Sequence, residues 1–110
     1  MLSEEVRNTQ RLLDELVGAT AILWRYVASH SVLEVRLIHD EREGNVHLIM
    51  EGCGRIESPP AWKGACLTVR EHLEGDGSSV RVVVEDEHAG FRVACGLVML
   101  QNNVEPVHSS

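Results

Sequence analysis

The chain has 110 residues, a length typical of one domain, and its hydrophobic content of 44% predicts a globular fold. The formal net charge is −7, because ten basic residues are scattered among seventeen acidic ones. This balance disfavours binding to nucleic acid or to an anionic membrane surface, since both require clustered lysine and arginine.

The beginning of the chain and its cysteines predict a cytoplasmic protein. Acidic residues follow Met1 where a secretory signal would be basic, and the longest uncharged apolar run, 93–100, is far shorter than the ~20 residues of a membrane span. Cys53, Cys66 and Cys95 form no CxxC pair, and their odd number leaves one unpaired under any disulfide scheme. We therefore expect reduced, mostly buried thiols.

An apolar stripe at helical spacing runs through the first 28 residues. Val6, Leu13, Thr20 and Val27 recur every seven residues, with polar side chains on the opposite face. The pattern predicts one amphipathic helix over 3–28, which would be roughly 39 Å long at 1.5 Å per residue. A helix of that length needs a large surface, so we expect it to pack on a sheet, to mediate self-association, or both.

The hydrophobic period then changes from 3.6 to 2, which indicates strands. Alternation over 31–39 and over 46–52 predicts a hairpin around the acidic turn 40–45. Two further strands are predicted over 79–87 and 91–100, on either side of a tight turn.

The segment 59–74 can be interpreted as a strand or as a short helix. The helix would place Trp62 and Val69 on one face, after a start at the Pro-Pro pair. However, Gly64 would cost about 1 kcal/mol inside a helix, and the β-branched Thr68 would lose rotamer freedom there. We favour the strand and keep the short helix as an alternative.

These elements together predict an α+β fold. The long N-terminal helix would pack on a four- or five-stranded antiparallel sheet in meander order, because short connections leave consecutive strands adjacent. The single domain would span 1–101. The tail 102–110 contains Pro106 and no periodicity, so we expect it to be loosely held.

The histidines and acidic turns predict no metal site and no cofactor. His39 and His47 flank the first turn, but strand parity places them on opposite faces, so they cannot start a zinc site. We expect both to be solvated. The acidic turns 40–43 and 85–87 lack the spacing of a calcium loop and are expected to form a solvated rim.

The cysteines give no indication of a nucleophile. A strand pairing centred near Gly77 would set Cys66 beside His88, but Cys95 would lie opposite Val84, and nothing supplies an oxyanion site. We expect Cys66 and Cys95 to be buried and structural. Phosphate-binding glycine loops and hydrolase motifs are also missing, which makes an enzyme the less favoured class.

The irregular segment 52–62 contains the candidate interaction or ligand residues Cys53, Arg55 and Trp62. Functional residues concentrate on such segments when a rigid scaffold holds them, and Trp and Arg are frequent interface anchors. The alternative role for Trp62 is structural. It would then close the end of the core beneath the preceding Pro-Pro corner.

Apolar residues on a second strand face predict a homodimer. Ile38, Ile49, Val83, Val98 and Leu100 fall on the parity opposite to the main core. Because one helix cannot cover both faces, we expect a two-fold partner subunit to cover the second.

The function predicted from these features is a non-catalytic, self-associating protein-interaction module that presents 52–62 or a sheet edge to another protein. The alternative is a small-molecule-binding protein or enzyme with a pocket near 52–62. The order of elements is loosely similar to that of the dimeric secretion chaperones, although the closing helix of that family is missing and no motif matches position by position.

Overall fold

The computed structural model describes residues 4–41, 44–73 and 80–103, and this part of the chain forms one α-helix and two antiparallel sheets. The five-stranded sheet has the order β5-β1-β2-β3-β9, and the four-stranded sheet has the order β4-β8-β7-β6. The elements are α1 (Glu4–Asp14), β1 (Thr20–Val27), a 3₁₀ turn (Ala28–His30), β2 (Val32–Ile38), β3 (Asn45–Glu51), β4 (Ile56–Glu57), β5 (Ala61–Trp62), β6 (Thr68–Leu73), β7 (Val80–Asp86), β8 (Phe91–Cys95) and β9 (Leu97–Asn103).

The predicted helix over 3–28 is wrong beyond Asp14. The helix α1 has 11 residues, and the chain then turns at Gly18, whose φ of +96° lies in the left-handed region that glycine adopts without strain. The Gly18 N–H donates to the Ala65 carbonyl at 2.8 Å, which ties the turn to the loop before β6. The following stretch is rich in β-branched and aromatic residues and forms β1 instead of continuing the helix.

The predicted hairpin is confirmed as β2 and β3, which pair antiparallel with Leu37 opposite Val46. Gly44 has a φ of +75° at the turn. The strand interpretation of the next ambiguous segment is confirmed over Thr68–Leu73, which pairs with β7, and the described residues between 59 and 73 contain no helix.

The predicted single sheet of four or five strands is two sheets. Gly96 divides the predicted strand 91–100 into β8, which belongs to the four-stranded sheet, and β9, which forms an edge of the five-stranded sheet. Because the break shifts the alternation by one residue, Val98 and Leu100 pack against the core and not on the opposite face as predicted.

The helix α1 packs against β6 and β9, one edge strand from each sheet. The Gln10 side chain replaces a missing neighbouring strand at β6: its Nε2 donates to the Leu67 carbonyl at 3.3 Å, and its Oε1 accepts from the Val69 N–H at 2.7 Å. This contact satisfies edge groups that would otherwise be open to another strand. Between the helix and the sheets lies one core, whose most deeply buried side chains are Leu13, Leu33, Val35, Leu37, Leu48, Met50, Val84, Phe91, Val93 and Cys95.

The strand β9 extends to Asn103, past the predicted domain boundary at residue 101. The rest of the predicted tail, 104–110, lies outside the described residues. No helix in the described part is both long and apolar enough to span a membrane.

Candidate functional site

A β-bulge in β1 shapes the outer face of the five-stranded sheet. Leu23 lies opposite Val35 and Arg25 lies opposite Glu34, which leaves Trp24 as the extra residue on β1. A bulge redirects side chains, and here both Trp24 and Arg25 contact residues on the face that points away from the core. Trp24 is 46% exposed and lies beyond the two residues of β1, Ala21 and Ile22, that pair with β5.

Five side chains on this face form one connected network, which we call the Trp24 cluster: Trp24, Arg25, Glu34, Arg36 and His47. The Arg36 guanidinium carbon lies 3.6 Å from the centroid of the Trp24 ring, a cation–π contact. The Arg36 Nε–H donates to His47 Nε2 at 2.9 Å, and His47 Nδ1 lies 3.1 Å from Glu34 Oε1. Arg25 adds an ion pair to Glu34, with 3.4 Å between Nε and Oε2.

The prediction that His47 is solvated is wrong, because His47 is 9% exposed and both ring nitrogens have partners. Since the Arg36 N–H points at Nε2, the hydrogen-bond network assigns the proton to Nδ1, which donates to Glu34. Using this ring as a metal ligand or as a general base would break one of these bonds. The arrangement therefore suits rigid recognition better than proton transfer.

Apolar side chains border the Trp24 cluster on β3 and β9. The sheet register sets Ile49 between Glu34 and Met99. Leu97, the first residue of β9, lies two positions before Met99. Leu97 is 43% exposed and Met99 is 39% exposed. The outward parity predicted for Ile49 is confirmed, and an apolar strip on β3 and β9 thus lies beside Glu34 of the Trp24 cluster.

The three predicted site residues lie in three different environments. Cys53 is buried in the core, and Trp62 on β5 is partly buried against it. The Arg55 side chain is 85% exposed and forms a 2.9 Å ion pair with Glu57. Among the described residues, Arg55 and Glu57 line an open cavity of about 360 Å³ with Arg92 and Ala94, on the outer face of the four-stranded sheet.

Trp62 is held by a buried carboxylate that the sequence did not predict. The Trp62 Nε1–H donates to Asp86 Oδ2 at 2.9 Å, and the Cys66 N–H donates to the same oxygen at 2.9 Å. The Trp62 and Phe91 ring centroids lie 5.1 Å apart. Asp86 is 2% exposed, so the prediction of a solvated acidic rim is wrong at this residue.

The two buried thiols, Cys53 and Cys95, show no sign of nucleophilic activation. Burial raises the pKa of Cys95 to about 12, with a further increase from the charge of Cys53, and burial also raises the pKa of Cys53. Both thiols are therefore protonated at neutral pH.

Cys66 is exposed, contrary to the prediction that it is buried, and Cys95 lies opposite Val82 and not opposite Val84. In the described residues, no group of three or more His, Cys, Asp or Glu side chains could hold a metal ion.

Part of the Trp24 cluster could have been found from the sequence. The hairpin register that pairs Leu37 with Val46 also pairs Arg36 with His47, and both then share the outer face. The position of Trp24 could not be found in this way, because the apolar stripe had assigned it to a helix.

Comparison of the chain with protein-family models, with curated proteins and with solved structures finds no match.

Proposed function

We propose that this protein is a non-catalytic interaction module that forms a two-fold homodimer through the outer face of its five-stranded sheet. The observation that carries the proposal is the exposed Trp24, whose ring Arg36 fixes and whose cluster continues through Glu34 to Ile49 and Met99. Trp and Arg are the residue types that most often dominate binding energy at protein interfaces. Two-fold dimers are the commonest assemblies of identical subunits.

The rigidity of the Trp24 cluster supports a binding role. Arg36 contacts the Trp24 ring and donates to His47, which is in turn bonded to Glu34. A side chain held before binding loses less conformational entropy when a partner covers it. The network therefore lowers the cost of ordering the face in a complex.

The charge of the face also favours self-association. The whole chain has a formal charge of −7, and two copies would repel if acidic surfaces met. On the outer face, however, Arg25 and Arg36 balance Glu34 and Glu51, as the sheet register shows. Two such faces can approach each other without a net like-charge penalty.

Sedimentation equilibrium tests the proposal directly. We expect the wild-type protein to sediment at twice its monomer mass of 12.2 kDa at tens of micromolar. Trp24→Ala should weaken the dimer by roughly 30-fold, the equivalent of about 2 kcal/mol. Tyr26→Ala is the matched control, because Tyr26 is 47% exposed on the same strand but lies opposite Leu33, a core residue.

Two results would refute the proposed dimer. A wild-type species of 12.2 kDa at tens of micromolar would reject self-association. Equal weakening by Trp24→Ala and Tyr26→Ala would reject this face as the interface. Circular dichroism of both variants would show whether the fold is retained.

We further propose that the module acts in the cytoplasm and presents the 52–62 segment or a sheet edge to another protein. The exposed Arg55 side chain supports the first surface, and three free thiols fit a reducing compartment. Affinity purification from native lysate, followed by mass spectrometry, should recover a protein that Arg55→Ala no longer retains. Equal recovery by wild type and variant would exclude a role for this residue.

A second candidate function is supported by the 360 Å³ cavity beside the same segment. Its two arginines, Arg55 and Arg92, could hold a small anionic molecule, either as a bound ligand or as the substrate of an enzyme. Native mass spectrometry of the purified protein should then show a bound small molecule that Arg92→Ala loses. A protein that carries no ligand and binds none from a panel of small anions would exclude this candidate.

A further inference from the structure

The ribbon formed by β3 and β9 continues past its last ladder pair into β4 and β8, which pair in the other sheet. The Gly96 N–H donates to the Glu51 carbonyl at 2.9 Å, one residue out of the β3–β9 register, so the ribbon bulges directly after Glu51. The Gly54 N–H donates to the Ala94 carbonyl at 2.8 Å on the far side of the bulge, so Gly52 and Cys53 together lie opposite Cys95. The two cysteines thus face each other where the ribbon passes between the sheets.

The backbone hydrogen bonds on either side of Cys53 and Cys95 define how the two residues face each other. These two bonds enclose Gly52 and Cys53 on one strand and Cys95 on the other, and neither bond joins the two cysteines. The Cys53 N–H donates to the Ser31 carbonyl at 2.9 Å and not to Cys95. Cα atoms of residues that face each other across an antiparallel pair lie typically ~4.5–5.5 Å apart, inside the range of roughly 4.4–6.8 Å that a disulfide requires.

Both side chains point into the same core. Cys53 and Cys95 belong to one cluster of buried residues, with exposures of 9% and 0%. The φ of +68° at Gly52 and the strand break at Gly96 allow the ribbon to turn both thiols inward. The influence of the Cys53 charge on the pKa of Cys95 agrees with this proximity.

We propose that Cys53 and Cys95 are a reversible disulfide site that staples the ribbon between the two sheets when the protein meets a disulfide oxidant. With oxidised glutathione, one protein thiolate attacks the glutathione disulfide, forms a mixed disulfide and releases one glutathione. The second protein thiolate attacks the protein sulfur of that mixed disulfide and releases the second glutathione. Two protein thiols are thereby oxidised, one glutathione disulfide is reduced, and the two thiol protons end on the two released glutathiones.

Burial makes this exchange slow and specific. Buried, protonated thiols react through transient openings of the structure and not as exposed nucleophiles. The exposed Cys66 can form a mixed disulfide, but it lies before the start of β6, and none of the β6–β7 pairs contains a cysteine. Because the bond would close a loop of about 40 residues, we expect the Tm of the oxidised protein to rise by roughly 10–20 °C above that of the reduced protein.

Peptide mapping of the oxidised protein tests the site. Trypsin places the three cysteines in separate peptides: 43–55 with Cys53, 64–70 with Cys66 and 93–110 with Cys95. After the native wild-type protein is incubated with oxidised glutathione and quenched in acid, 43–55 should be linked to 93–110. Cys66→Ser should retain this link, and Cys95→Ala should lose it.

Three results would overturn the proposal. The first is a linked peptide that contains Cys66. The second is glutathione that remains attached to Cys53 or Cys95 after prolonged oxidation, without a link between them. The third is the link without any rise in Tm, because a bond across this ribbon must constrain the unfolded chain.

Discussion

Replacement of Trp62 by Ala should destabilise the protein by roughly 3–4 kcal/mol. The substitution removes the hydrogen bond from the indole N–H to Asp86 and the ring contact with Phe91. A hydrogen bond to a charged group contributes about 1.5–3 kcal/mol, and an aromatic pair adds about 0.5–1.5 kcal/mol. The sum agrees with the roughly 3–5 kcal/mol that truncation of a core aromatic side chain costs, reduced because Trp62 is only partly buried.

Trp62→Phe separates the two contributions. The phenyl ring keeps its contact with Phe91, whereas the Asp86 side chain loses the Trp62 N–H and keeps the bond from the Cys66 N–H. We expect this variant to lose about 1.5–3 kcal/mol. In a double-mutant cycle with Asp86→Asn, the coupling energy should lie in the range of about 0.5–3 kcal/mol typical of residues in contact.

Urea unfolding followed by far-UV circular dichroism provides the measurement. All variants should be compared at one protein concentration, because association with a second subunit would itself stabilise the folded state. Sedimentation of the same samples reports the oligomeric state. If Trp62→Ala unfolds at the wild-type urea concentration but no longer associates, then Trp62 is an interface anchor and the structural role assigned to it is wrong.

Two further predictions concern the edge of β6 and the buried thiols. Gln10→Ala should lower the free energy of unfolding by about 1–2 kcal/mol, because it removes both hydrogen bonds to the β6 edge. Arg11→Ala, on the exposed side of the helix, should have little effect, and equal urea midpoints for the two variants would contradict this prediction. The pKa of Cys95 rises from 9.0 to about 12 on folding. The contribution of this thiol to the free energy of unfolding is therefore fully present below pH 9.0 and is lost as the pH rises toward 12. The loss is at most about 1.4 kcal/mol per pH unit. Urea unfolding under reducing conditions between about pH 8 and pH 10.5 should show a shallower fall for Cys95→Ala than for wild type, and parallel curves would refute the assignment.

The strands that could be predicted from the sequence are those whose alternation and turn are local. The β2–β3 hairpin was found because Leu33, Val35 and Leu37 alternate with charged residues up to a turn that contains Gly44. The β6 strand was found because Gly64 and Thr68 both disfavour the competing helix. In each case the information lies within about ten residues.

The helix boundary could not be found in this way. Thr20 and Val27 fit a seven-residue helical repeat by coincidence, although Ala21 and Leu23 also fit the period of a strand. Only the position of Gly18, where the chain turns and bonds to the loop before β6, decides between the two patterns. That contact joins segments far apart in the sequence, so local periodicity does not contain it.

The number of sheets was missed for a related reason. Gly96 lies in a continuous apolar run, and one glycine does not show that the strands on either side belong to different sheets. The break moves Val98 and Leu100 from the predicted outer face into contact with the core. The apolar side chains that β9 exposes are therefore Leu97 and Met99, and not Val98 and Leu100 as predicted.

The proposed dimer and the proposed disulfide use opposite sides of the same ribbon. Ile49 and Met99 are on the outer side of β3 and β9, whereas Cys53 and Cys95, further along the same ribbon, turn into the core. Neither proposal requires the other, because the disulfide adds no group to the outer face and the dimer covers neither thiol. A monomeric protein that forms the disulfide, or a dimer that does not, would therefore reject one proposal and leave the other standing.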